Sequence, residues 1–358
     1  MDAPEITRQV QYNCDVSDAR YAGIYSICGL AMRLRELYKW DQHLAPWQEH
    51  ESGQVLDWIG RRETLWESLA EAEFQSLTID GRAFEAFDSQ AINALLIPQG
   101  LFYGAGYAQS LKPTFFLAEV DGCDTIAGRT VWRLGRELAR DLLTLPAFSQ
   151  DDQVVLRTEA ARMYLWDQIA YMSNSGRPAL NFALAACCGL PDGDTHGIRR
   201  HFDTILNNCQ TTYIRHELGE VADPVFDRTT WRRMLSDFPH TPVELLIRTL
   251  KDVLADTGED GPIVHFCAHH DHAGLGFYMA FRGGLAPLLF AELTTSFASF
   301  MQNGDWSEVA RAARQVRHKA ADYVGQVTAL YNKGGREQDL AAVRKAIEAT
   351  LAQRGVTF

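Results

Sequence analysis

No two cysteines in the chain are separated by two residues. The seven, at 14, 28, 123, 187, 188, 209 and 267, are odd in number and follow no disulfide-framework spacing. That excludes a small stapled secreted domain and a thioredoxin-type redox motif, and it fits a reduced cytoplasm. Long apolar runs are missing too. None approaches the roughly 18 residues that a spanning helix needs, and the opening MDAPEITRQVQYNCDVSDAR has no apolar signal region, so neither a membrane span nor a leader is expected. Positive charge is in deficit. With 34 Lys and Arg against 46 Asp and Glu the net charge is −12, a field that repels phosphate backbones and excludes sequence-independent nucleic-acid binding. There is no Walker loop, no Ser-centred nucleophile elbow, no internal repeat and no low-complexity linker.

What remains is an acidic globular chain of 358 residues, 46% hydrophobic, long enough for two domains and a sizeable core. Apolar residues recur at helical spacing over most of it. Ser17 or Asp18 is placed to cap a helix carrying Tyr21, Ile24, Cys28, Leu34 and Leu37. A second helix is expected over 55–77, and others over 153–173, 177–188, 198–221, 307–331 and 336–353, the last stopped by Gly355. Thr241-Pro242-Val243-Glu244 reads as a capping box with proline in the first turn. The stretch after Pro98 differs: 114–120 and 129–134 are β-rich and joined through Asp121-Gly122 and Ala127-Gly128, as in a hairpin with a longer loop. Gly104 and Gly106 lack the third glycine of a phosphate loop and read as tight turns. The expected fold is mainly α (α+β), with an N-terminal helical domain carrying the hairpin over 1–148 and a C-terminal helical domain over 149–358.

The most chemically specific segment is Arg215-His216-Glu217-Leu218-Gly219-Glu220. Its His-Glu-x-x-Glu pattern resembles the zinc-peptidase motif His-Glu-x-x-His but has a carboxylate in the second ligand position. On a helix, residues four apart share a face, so His216 and Glu220 can grip one ion. Glu217 then points slightly aside, where it can take a proton from water as the general base. The apolar stripe Phe202, Ile205, Cys209, Tyr213 runs on through His216 and Glu220, and polar groups on such a stripe are costly unless paired or metal-bound. A satisfied core histidine with a glutamate partner is the plainer alternative.

A second cluster, His265-Phe266-Cys267-Ala268-His269-His270-Asp271-His272, holds four of the eleven histidines. In a helix His265, His269 and His272 line one face and can add imidazole ligands for zinc, iron or manganese. A polar surface loop explains the same residues. Cys14, Cys209 and Cys267 are potential thiolate ligands that read better as inert core residues. Asp192, Asp194, His196 and His201 fit a turn into a helix N-terminus.

Across Cys14-Asp15-Val16-Ser17-Asp18-Ala19-Arg20-Tyr21-Ala22-Gly23, ICGLAMRLRELYKW, LGRELARDLL and YIRHELGE the chain resembles an uncharacterised bacterial protein family of unknown function. That resemblance implies a bacterial cytoplasmic origin and transfers no site residue. From the residues, the expectation is a helical protein binding a divalent transition metal and acting as a metal-dependent hydrolase. His216, Glu220, His265, His269 and His272 are the expected ligands and Glu217 the catalytic base, with a small-molecule or peptide substrate. A non-haem iron oxidase and a non-catalytic interaction or scaffold protein are the alternatives.

Overall fold

A computed structural model of the chain describes residues 2–191, 193–337 and 339–352. They form two compact units, Met1–Tyr171 and Met172–Phe358. The division falls later than the expected 148/149, because 147–157 completes the sheet of the first unit.

In that unit α1 (Ala3–Tyr21) starts earlier than expected. Asp2 caps it, accepting from the Glu5 amide at 3.2 Å, with Pro4 in the first turn. Ser17 and Asp18 are therefore not caps. They lie buried inside α1, where Ser17 donates to the Pro113 carbonyl and Asp18 pairs with Lys112. After α2 (Ile27–Asp41) and α3 (Ser52–Leu69), the helix expected to reach 77 has already stopped. Leu77–Ile79 (β1) pairs instead with Arg82–Phe84 (β2) across Asp80-Gly81, both at positive φ, the turn that suits a two-residue hairpin.

Beyond α4 (Ser89–Leu96) comes a sheet larger than the expected hairpin. It comprises β3 (Leu101–Tyr107), β4 (Pro113–Ile126), β5 (Arg129–Arg140), β6 (Ala147–Gln150) and β7 (Gln153–Arg157), in the order β3-β4-β5-β7-β6. All neighbours are antiparallel except β5 and β7. The glycine at 104 is a strand residue, not a turn: a Cβ there would run into the Phe116 ring on β4. Helix α1 packs on β4 and β5 through Val10 and Cys14, against Phe115, Leu117 and Ala139. α5 (Thr158–Ala170) follows β7 directly.

Two charge clusters are sealed in this unit. Lys112 Nζ reaches Asp141 at 3.0 Å, Asp18 at 3.1 Å and Ser17 Oγ at 2.9 Å, and all four residues are buried. Backbone amides complete the set. Leu142 N–H donates to Asp18 and Leu143 N–H to Asp141. Burial raises the Asp18 carboxyl to about 7, against the opposing pull of Lys112. Nearby, Arg157 Nε donates to Glu137 at 2.6 Å, and Arg140 stands 3.3 Å from the other oxygen of the same carboxylate.

The second unit is helical throughout its described residues: α6 (Arg177–Cys188), α7 (Thr195–Arg200), α8 (Phe202–Ala222), α9 (Arg228–Asp237), α10 (Pro242–Asp256), α11 (Pro262–His269), α12 (His272–Phe281), α13 (Ala286–Leu289), α14 (Ala291–Asn303), α15 (Trp306–Glu337) and α16 (Leu340–Ala352). The capping box is present. Thr241 Oγ1 accepts from the Glu244 amide at 3.3 Å, while Glu244 reaches back to the His240 amide at 2.8 Å. Asp194 caps α7 through Gly197 N–H at 2.8 Å; Asp192 and Gly355 lie outside the described residues.

Helix α8 packs against α6, α10, α11 and α12. It meets α10 backbone to backbone at Gly219, where a Cβ would collide with the Ala255 carbonyl oxygen. Arg317 of α15 clamps both helices, donating to the Leu254 carbonyl at 2.7 Å and to Asp223 at 2.5 Å.

Candidate metal centre

The buried stripe of α8 runs through Ile205, Leu206, Cys209, Gln210, Ile214, Glu217 and Leu218. It therefore passes through Glu217, not through His216 and Glu220 as the apolar spacing suggested; those two are half-buried at its border. A register one residue further round puts the middle residue of the motif innermost, because the stripe steps by three and four. One ligand atom each from His216, Glu217 and Glu220 lie within 4.8 Å of one another. Among the described residues this is the group of three or more His, Cys, Asp and Glu side chains able to enclose an ion.

Helix α10 supplies what the motif alone could not show. Asp256 Oδ1 lies 2.7 Å from His216 Nδ1, and its second oxygen accepts from the Tyr278 hydroxyl of α12 at 2.9 Å. Asp252 Oδ1 is 4.0 Å from His216 Nε2, with its side chain 54% exposed. With Nδ1 committed to Asp256, Nε2 is the nitrogen left for an ion, and the carboxylate fixes the tautomer and the ring plane. This contact depends on the Gly219–Ala255 approach, which lets the last turn of α10 meet the motif.

The electrostatics are lopsided. Burial lifts the Glu217 carboxyl to about 8, with His216 opposing and Glu220, Asp252 and Asp256 adding to the rise. Burial works against charge on His216, yet Asp256, its hydrogen bond and Asp252 hold the imidazolium form well above the ordinary histidine range. Glu217 is 9% exposed, and no donor among the described residues hydrogen-bonds its carboxylate. Two cations of α10 lie on this side: Arg248, which acts on Asp252, and Lys251, buried and drawn by Glu220, with its ammonium pushed down chiefly by burial. Four carboxylates thus surround one imidazole. A divalent cation would relieve their repulsion and give the Glu217 carboxylate a partner.

His265, His269 and His272 do not join this group. The single helix face expected for them does not form, because α11 ends at His269, His270 turns left-handed at φ 51° and Asp271 caps a new helix through Gly274 N–H at 2.8 Å. The His265 and His269 rings lie 4.1 Å apart, tilted by 35°, and His269 Nδ1 lies 2.8 Å from the His265 carbonyl. Burial, then Arg215, then His269 push the His265 imidazole down to about 4, and the Arg215 charge equally disfavours a cation beside it. His272 packs its ring against Phe300 at 5.5 Å and Trp306 at 5.1 Å. Of the potential thiolates, Cys14 and Cys209 are buried and none of Cys14, Cys209 and Cys267 belongs to the group.

Asp252, Asp256 and Tyr278 were missed from the sequence. The Asp252-x-x-x-Asp256 spacing on an amphipathic helix was the available sign, but nothing local says that α10 faces α8.

No helix among the described residues is long and apolar enough to cross a membrane. No curated protein and no solved structure matches the chain. Residues 5–157 match the N-terminal domain and residues 162–350 the C-terminal domain of a family of unknown function, DUF6866. Between them the two models span nearly the whole sequence, and the chain belongs to the DUF6866 family.

Proposed function

We propose that the C-terminal unit binds one divalent transition metal through His216, Glu217 and Glu220 and uses it to hydrolyse a small-molecule or peptide substrate in the cytoplasm. The observation that carries this reading is Glu217: a nine-tenths-buried residue whose carboxylate has no hydrogen-bond donor among the described residues, gathered with an imidazole and a second carboxylate. Three protein donors leave a coordination position open, and an ion there polarises a substrate oxygen and makes water a better nucleophile. One imidazole with two carboxylates is a donor set that suits manganese or iron at least as well as zinc. The proposal moves Glu217 from base to ligand and gives the base's part to Asp252, the half-exposed carboxylate beside His216.

Elemental mass spectrometry on untagged protein tests it. About one ion per chain is expected in the parent, with the ion lost in H216A and E220A. Retention of the ion in E217Q, with hydrolysis of ester or peptide probes lost, would return Glu217 to the base's role. A redox-active iron would turn the reading toward oxidase chemistry. One observation favours a non-catalytic scaffold instead: Asp256 already satisfies His216 without an ion. That reading predicts no bound metal and melting insensitive to chelators.

A further inference from the structure

Helix α6 ends in two adjacent cysteines, Cys187 and Cys188, both half-buried, with Gly189 closing the helix in the left-handed conformation. Neighbouring residues on an α-helix diverge by about 100° around the axis, so their side chains ordinarily do not meet. Here they do. The two sulfurs lie 3.1 Å apart, closer than an ordinary thiol contact, and Asn208 Nδ2 of α8 approaches Cys187 Sγ at 3.3 Å. The pair belongs to the second unit but to none of the residues assigned to the metal centre.

Two outcomes suit sulfurs held this way: closure to a disulfide, or capture of one thiophilic atom between them. Disulfides join residues whose Cα atoms are usually about 4.4–6.8 Å apart. Adjacent Cα atoms are only about 3.8 Å apart, and both residues here are fixed in a helical turn. A bridging atom needs no such contraction. The protons narrow the ligand further. Burial, and then the neighbouring Cys188, push the Cys187 thiol up to about 12. A bare dication would have to expel those protons into neutral water. A trivalent metalloid that arrives as an oxide or hydroxide brings its own base.

We propose that Cys187 and Cys188 form a vicinal dithiol site for trivalent metalloids of the arsenite class. With an organoarsenic oxide, two sulfur–hydrogen bonds and the arsenic–oxygen bond break and two arsenic–sulfur bonds form. Both protons leave with the oxygen as water, and arsenic remains trivalent throughout. Asn208 donates to the Cys187 sulfur and steadies it in the chelate. The site is independent of His216, Glu217 and Glu220, so the fate of either does not decide the other.

The test is intact mass spectrometry of the reduced full-length protein after treatment with phenylarsine oxide, in the presence of excess monothiol and then of a dithiol. Monothiol strips arsenic from single cysteines such as the exposed Cys28 and Cys123. The expected result is one adduct per chain, heavier by one arsenical less one water, which survives monothiol and is released by the dithiol. C187S and C188S each lose it, and C28S/C123S keeps it. Circular dichroism of each serine variant verifies that the fold is retained, and C188A provides a second truncation should C188S fail that check. Disappearance of every adduct under monothiol would overturn the proposal. So would retention in C188S, which would transfer the second sulfur to the buried Cys209.

Discussion

The Lys112 cluster of the N-terminal unit and the His216 motif of the C-terminal unit both bury ionisable groups, yet they treat them differently. In the N-terminal unit each carboxylate of the Lys112 cluster has donors on it: Asp18 takes Lys112 and the Leu142 amide, and Asp141 takes Lys112 and the Leu143 amide. The cluster is out of water and complete. In the C-terminal unit Glu217 is nearly as deep but has no donor among the described residues, while Asp252 and His216 open toward solvent. Burial alone therefore does not distinguish a structural charge cluster from a reactive one. Unmet hydrogen-bonding capacity beside a solvent path does.

The comparison breaks most directly at Lys112. Replacing it with methionine should destabilise the first unit by about 3–5 kcal/mol, since two carboxylates are left buried without their cation. Urea denaturation reads this, and a loss below about 1 kcal/mol, the level of an exposed pair, would demote the cluster to ornament. Next in size is Gly219→Ala. Its methyl would force α8 from the Ala255 carbonyl, costing about 1–3 kcal/mol as overpacked cores do. It should also remove the His216–Asp256 contact, visible as a changed imidazole resonance.

Asp256→Asn and Tyr278→Phe probe the second unit more gently. Each should weaken metal binding by about tenfold to a hundredfold by titration calorimetry, as expected when a ligand loses its orienting partner, with the fold intact. Unchanged affinity would mean that Asp256 merely pairs with the histidine.

A fourth prediction concerns pH in metal-free protein. Glu217 holds its proton up to about 8 in the folded chain, against an ordinary value of 4.5. Between those limits the native state binds more protons than the unfolded one. Its contribution is thus fully present below about 4.5 and fades as pH rises toward 8. Glu217→Gln cannot titrate, so its melting temperature should gain on the parent from pH 5 to pH 8, by some degrees. A constant gap would show the carboxyl to be ionised throughout. The smallest effect belongs to His265→Ala with His269→Ala, which should leave metal content unchanged. A drop would bring the second histidine cluster back to the ion.

Much of the helical layout was legible because it is local. The helix over 177–188 carries its own proline and glycine punctuation, and Thr241 to Glu244 carries its own cap. What failed was decided partly by tight hairpins, as at Asp80-Gly81 and between β6 and β7, and partly by distant partners. Gln153–Arg157 looked like the first turns of a helix, but Val131–Leu134 pairs with it in parallel. The glycines of β3 looked like turns until Phe116 is placed opposite Gly104. At the candidate site, His216 and Glu220 were legible from spacing. The Asp256 that meets His216 lies 40 residues on, and no periodicity specifies which helix it faces.

The meeting of α8 and α10 at Gly219 has a practical corollary. Where two helices touch main chain to main chain, the distance between the Cβ positions they present is set by the backbone, and only rotamer and side-chain length remain to vary. Positions 216, 217, 220, 252 and 256 are thus sockets on a common rigid frame. Histidine, cysteine or carboxylate could be exchanged among them combinatorially, with selectivity for one ion over another tuned by donor chemistry and reach while the backbone spacing stays constant.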